Sequence, residues 1–141
     1  MKLLIPVDDS DASRHAIELA MRLAQEVGTA EVILLNVRNA PEYYGAIGTM
    51  DYELFDRSLR ESQQRLLAAA LELAQRIGLT QISIQAAQGI PEQEIVRVAE
   101  QRGVDQILMG THGRGTMGTL FTGSVAQRVV HLAPMPVTLV K

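Results

Sequence analysis

The chain has 141 residues, with 13 Lys+Arg against 16 Asp+Glu, 47% hydrophobic residues and no cysteine. That length holds one domain with a real core, leaves little room for a second, and carries too much apolar sequence for a wholly disordered chain. A formal charge of −3 gives no basis for a nucleic-acid binder driven by phosphate attraction, and the missing thiols exclude disulfides, cysteine catalysis and thiolate metal sites.

The period of the hydrophobic pattern changes in a regular order. Leu3-Leu4-Ile5-Pro6-Val7 is a short continuous apolar run, as expected of a strand covered on both faces. Asp8-Asp9-Ser10-Asp11 then supplies N-cap candidates and negative charge for a helix start. Ala16, Leu19, Ala20, Leu23, Ala24 and Val27 recur at helical spacing, and Gly28 stands where the helix should stop. A second buried-type strand follows over 32–37. The same phrase repeats: a long helix over 51–77 with Leu66, Ala70, Leu73, Ala74 and Ile77 on one stripe, then an alternating strand over 82–87 that suits a sheet edge. Pro91 sits where a first-turn proline belongs, in a short helix closed by Gly103. Strand 104–109, helix 124–131 and strand 137–140 complete the chain.

Strands alternating with helices predict an α/β fold, a doubly wound five-stranded parallel sheet with helices on both faces. Ligands in such sheets bind beyond the carboxyl ends of the strands, where strand order reverses. The opening residues are too short an apolar stretch for a signal segment, and no run approaches the roughly 18 apolar residues of a membrane span. The expectation is a single soluble, cytoplasmic domain over 1–141, without nucleic-acid or membrane partners.

Two connections are long, 38–50 and 110–122. The second carries Gly110, Gly113, Gly115, Gly118 and Gly123 between a buried strand and a helix. Glycine lets consecutive backbone N–H groups approach one anion, and the helix beginning at Ser124 points its unpaired N–H groups the same way. Arg114 adds a permanent charge, and no Asp or Glu follows Asp105. Two readings stay open at this point: a phosphate cradle, or a glycine-rich surface loop without a ligand. The loop is neither a Walker A sequence nor the Gly-x-Gly-x-x-Gly turn of a dinucleotide fold.

Gly110-x2-Gly113-x9-Gly123-Ser124 resembles the nucleotide-binding signature of the ATP-binding branch of the universal stress protein family. The resemblance spans the whole chain, from Ile5-Pro6-Val7-Asp8 through Leu35-Asn36-Val37 and Gly123-Ser124-Val125 to Pro134-Met135-Pro136-Val137. It implies a Rossmann-like, adenine nucleotide alpha hydrolase-like fold, a homodimer and a stress-response or metabolic regulator that binds ATP, with AMP or another adenine nucleotide as the alternative. Pro6, Asp8 and Val37 would border adenine and ribose, while Gly110, Thr111, His112, Gly113, Arg114, Gly115 and Thr116, with Gly123, Ser124 and Val125, would enclose ribose and phosphates. Val7 and Met109 complete the candidate nucleotide-binding set.

Other side chains have more than one reading. Asp8 suits a ligand contact and Asp9 a structural or capping role. His112 suits either a phosphate contact or a backbone-orienting role, and His15 and His131 read as satisfied helix histidines. Tyr43 and Tyr44 suit a cover over apolar surface or a partner subunit slightly better than a lid over the base. No residue set suggests a metal cluster, so Mg²⁺ would come with the nucleotide. No catalytic set is recognisable. A slow Mg-dependent ATPase or phosphotransferase using Arg114, His112 or Asp8 remains an alternative. So does a dimeric interaction module, pairing through the apolar strand Val137–Val140 with nucleotide incidental. The residues name no downstream protein partner. On the nucleotide reading, Gly110→Val and Gly123→Val would each weaken ATP binding without unfolding the domain.

Overall fold

In the computed structural model, which describes residues 1–39, 49–111 and 123–141, five strands alternate with four helices. The order is β1 (Lys2–Pro6), α1 (Asp11–Val27), β2 (Glu31–Arg38), α2 (Thr49–Arg76), β3 (Gln81–Gln88), α3 (Pro91–Gln101), β4 (Gln106–Gly110), α4 (Ser124–Leu132) and β5 (Val137–Val140). All the strand pairings are parallel, in the sheet order β3-β2-β1-β4-β5. The alternating pattern of β3 thus belongs to an edge strand, half exposed along its length.

Strand residues divide between the two faces by their period of two. Leu3, Ile5, Val32, Leu34 and Leu108 face one way and meet Ala16, Ile17 and Ala20 of α1 with Leu67 and Ala74 of α2. Leu4, Ile33, Leu35, Ile107 and Met109 face the other way and meet Ile95, Val98 and Ala99 of α3 with Ala126 and Val129 of α4. This two-sided burial is why the central strands read as unbroken apolar runs. At about 1.5–3 kcal/mol per fully buried aliphatic side chain, the two layers supply the main stabilisation. The stripe from Leu66 to Ile77 packs against the first of these cores.

Element ends follow local bonding. Of the N-cap candidates Asp8, Asp9, Ser10 and Asp11, Ser10 is the one used, its hydroxyl accepting from Ser13 N at 3.1 Å. Val7, expected inside the first strand, lies just beyond it, although its N–H still donates to Leu35 O at 2.8 Å. Val104, expected in the fourth strand, instead closes the end of α3 by donating to Ala99 O. Gly28 stops α1 with φ +89°, a conformation side chains resist.

Gly110 has a different reason for being glycine from the one its loop suggested. A Cβ built there would lie 2.9 Å from Ala12 Cβ and 3.1 Å from the Ala12 carbonyl carbon, so the end of β4 touches the backbone of α1's first turn. The close approach is between two parts of the protein. Gly110→Val is therefore expected to destabilise the fold by about 1–3 kcal/mol through overpacking, which urea unfolding would measure; an unchanged midpoint would show that α1 can shift freely.

Candidate functional site

Strand order reverses between β1 and β4. From β1 the chain winds outward to β3 on one side, and β4 and β5 add on the other. Their following helices leave to opposite faces, α1 to the first core and α4 to the second, so among the described residues no helix crosses the gap at the carboxyl ends. A cleft of about 290 Å³ opens there.

Its walls come from five segments, with Ser10 and Ser13 at the start of α1 as a sixth. Pro6, Val7 and Asp8 follow β1, and Leu35, Asn36 and Val37 end β2. Met109, Gly110 and Thr111 end β4, Pro91 and Ile95 come from α3, and Gly123, Ser124, Val125 and Ala126 begin α4. Every residue of the sequence-derived set that the structure describes therefore lines one cavity. His112, Gly113, Arg114, Gly115 and Thr116 lie outside the described residues, as do Tyr43 and Tyr44. Ser10, Ser13, Leu35, Asn36, Pro91, Ile95 and Ala126 also line it and were not singled out. Asn36 carried a signal, a lone polar residue closing the apolar run 32–35.

Leu35, Val37, Pro91, Ile95 and Met109 give the cleft an apolar lining, and Asp8, Ser10, Ser13, Asn36, Thr111 and Ser124 a polar one. At its α4 wall the helix starts at Gly123, whose backbone is extended (ψ 149°) and which offers no side-chain cap. No acidic residue occupies the first turn of α4, whose leading N–H groups have no partner within the helix. The start of α4 is anchored by main chain: Gly123 N donates to Thr111 O and Thr111 N to Val140 O, both at 2.7 Å.

Asp8 is held by the serines that begin α1. Its Oδ1 accepts from Ser10 N at 2.9 Å and from the Ser10 hydroxyl, an Asx turn, while its own N–H donates to Ser13 Oγ at 3.2 Å. Asp9 is exposed and does not line this cleft. Asn36 Nδ2 donates to Val7 O at 2.7 Å and ties β2 to the β1 end. Buried Gln63 of α2 donates to the carbonyls of Asn36 and Ala87 at 2.8 and 3.0 Å, bracing the ends of β2 and β3. Among the described residues no three His, Asp or Glu side chains gather to hold a metal. His15 and His131 are exposed helix residues, and His15 Nδ1 lies 2.7 Å from Lys141 O.

A second hollow, about 540 Å³, lies between α1 and α2 and shares Asp8 and Ser13 with the first. Its rim balances Arg14, Arg65 and Arg76 against Asp8, Asp9 and Glu72. It lies along the helices and gathers no strand ends, so the smaller cleft is the better candidate.

The acid-free stretch after Asp105 acquires a carboxylate from elsewhere. Glu92 of α3 is buried, and its Oε1 accepts from Arg128 Nη1 of α4 at 2.7 Å. Burial pushes the Glu92 carboxyl up. The Arg128 hydrogen bond, its own backbone N–H and the Arg128 charge together outweigh that and hold it below the ordinary glutamate value.

Residues 1–141 match the model of the universal stress protein family. Universal stress protein MJ0531 of Methanocaldococcus jannaschii is 35% identical over 99% of this chain and 81% of its own length. A universal stress protein of Thermus aquaticus is 31% identical over 99% of this chain and 97% of its own. Among solved structures, hypothetical protein MJ0577 of M. jannaschii superposes with a TM-score of 0.86 at 28% identity, covering 99% of this chain and 94% of that one. A universal stress protein in complex with cAMP superposes at 0.73 with 21% identity, over 99% of this chain and 95% of its own. One from Archaeoglobus fulgidus in complex with dAMP superposes at 0.69 with 22% identity, over 100% of this chain and 98% of its own.

Because folding lowers the Glu92 pKa, its contribution is fully present above the unfolded glutamate value of about 4.3 and is lost as pH falls through the folded value. The stability advantage of the wild type over Glu92→Gln is therefore expected to shrink from about pH 5 to pH 3, followed by urea unfolding at each pH. A difference independent of pH would remove the charged pair from the account.

Proposed function

The chain belongs to the universal stress protein family, and from that membership and the cleft's geometry we propose that it binds ATP and acts as a nucleotide-responsive regulator. The observation that carries this reading is that the start of α4, where Gly123 offers no side-chain cap, lines one cleft at the strand ends together with Asp8 and the apolar Val37, Ile95 and Met109. In this arrangement adenine lies against Pro6 and Val37 and the ribose hydroxyls reach Asp8. The phosphates sit at the N–H groups of Ser124 and Val125, beside Gly110 and Thr111. Gly113, Arg114 and the rest of the loop 111–116 supply further donors, and Mg²⁺ enters with the phosphates. Two fold neighbours that hold adenine nucleotides support the choice of base.

Regulation is favoured over catalysis. Hydrolysis needs a positioned water and a group that stabilises transferred charge. Asp8 is the carboxylate that lines the cleft, and its Oδ1 is engaged by Ser10. The second reading, slow Mg-dependent hydrolysis, would draw on Arg114 and His112. A homodimer is proposed through β5, an edge strand on which Leu139 is exposed beside exposed Val130 and Leu132 of α4. No helix among the described residues is long and apolar enough to cross a membrane, and a cytoplasmic site of action is proposed with the regulator role.

Mass spectrometry of the natively purified protein is expected to release an adenine nucleotide. Gly123→Val, which puts a branched side chain where phosphate must approach the main chain, is expected to weaken ATP about tenfold or more by calorimetry. Ser124→Ala removes one donor among several and is expected to cost about 0.5–1.5 kcal/mol. Wild-type affinity in Gly123→Val would contradict the backbone cradle, and ATP turnover at about 1 s⁻¹ or faster would favour the enzyme.

A further inference from the structure

α4 spans nine residues, of which Ala126 and Val129 are buried, while Val130, His131 and Leu132 are exposed. Its apolar grip on the sheet is therefore small, and it packs mainly against α3. Yet its first turn lines the cleft, where an error of orientation turns N–H groups away from a ligand. Something beyond two buried aliphatic side chains has to define its position.

Glu92 and Arg128 provide that definition. Glu92 is the second residue of α3, directly after Pro91, which lines the cleft; Arg128 lies four residues after Ser124, on the same side of α4. The contact is 2.7 Å, with the Glu92 side chain 9% exposed and that of Arg128 66% exposed. The pair is asymmetric: the carboxylate is embedded at the start of α3, where the helix dipole favours it, and the guanidinium reaches in from solvent. An exposed ion pair between flexible chains would define little. A buried, immobile carboxylate offers the arginine one place to dock, and so fixes the rotation and axial position of α4 relative to α3.

We propose that Glu92 and Arg128 are positioning residues whose ion pair aims the α4 N-terminus into the cleft and thereby sets affinity for the phosphate end of the nucleotide. The inference rests on the nucleotide-binding reading. It separates from a general structural role, because α4 touches the phosphates and not the base. It separates also from a field effect. Removing the Glu92 charge makes the surroundings more positive, which by attraction alone would tighten ATP; loss of aim weakens it.

The experiment is calorimetry of ATP and of adenosine with the wild type, Glu92→Met and Arg128→Lys, each checked for folding by thermal unfolding. Glu92→Met, which keeps an apolar side chain in the buried space, is expected to weaken ATP about fivefold or more while adenosine stays within about twofold. Arg128→Lys keeps the charge but loses the planar fork, and is expected to weaken ATP by a smaller factor, again without effect on adenosine. ATP binding as tight as wild type or tighter in Glu92→Met overturns the proposal, as does an equal loss for both ligands. Should Glu92→Met not fold, Arg128→Lys decides alone: its field is that of the wild type, so unchanged ATP affinity overturns the positioning role. A wild type that binds adenosine but gains nothing from the triphosphate would instead remove the phosphate cradle itself.

Discussion

The functional end of this molecule depends on β1 and β4 lying side by side while α1 and α4 depart to opposite faces of the sheet. Parallel strands joined by helical crossovers must cover both faces, and a sheet that grows from its middle in both directions leaves one place where no crossover spans the strand ends. The cleft is that place. Gly110, which lines it, lies where β4 meets the backbone of α1. The same residue that a glycine-rich motif singles out for its ligand is also needed by the packing of the fold.

Around the cleft, stabilisation of the sheet and shaping of the site use the same groups. Asn36, Gln63 and Glu92 are polar side chains set among apolar ones, and each is satisfied by a specific partner. An unpaired polar group in these positions would cost about 1–3 kcal/mol, so each bond commits the chain to one arrangement. Asn36 and Gln63 hold the β1, β2 and β3 ends in register near Val37. Glu92 holds α4 from α3. The strand-end wall and the α4 wall of the cleft are thus braced by separate contacts, one from Gln63 of α2 and one from Glu92 of α3. Asp8 is held by the serines that begin α1.

This division explains why glycine content alone says little about such a site. Glycines allow a main chain to come close to an anion, but the anion also needs N–H groups that converge from a rigid element. The element of that kind at this cleft is α4, whose N-cap Gly123 offers no side-chain cap and whose first turn bears no acid. The neighbouring carboxylate, Glu92, is not an oversight in that scheme. It faces Arg128 rather than the cleft, and the pairing offsets its charge.

Periodicity in the sequence was enough to determine the elements, their order and the parallel sheet, because a strand buried on both faces must be apolar at every position and a surface helix on only one stripe. Gly123 and Ser124 were marked locally by the glycine-rich loop and the helix start, while Pro6, Asp8, Val37 and Val125 became candidates through the resemblance to the universal stress protein family. The alternating pattern of β3 already told that it would be an edge. Strand order, by contrast, was decided only in three dimensions, and with it the identity of the switch point between β1 and β4. The roles of Gly110, Asn36, Gln63 and the Glu92–Arg128 pair came from the same source. Their partners lie between 24 and 98 residues away along the chain, and no local pattern reports which distant backbone or side chain a buried polar group, or a missing Cβ, will meet.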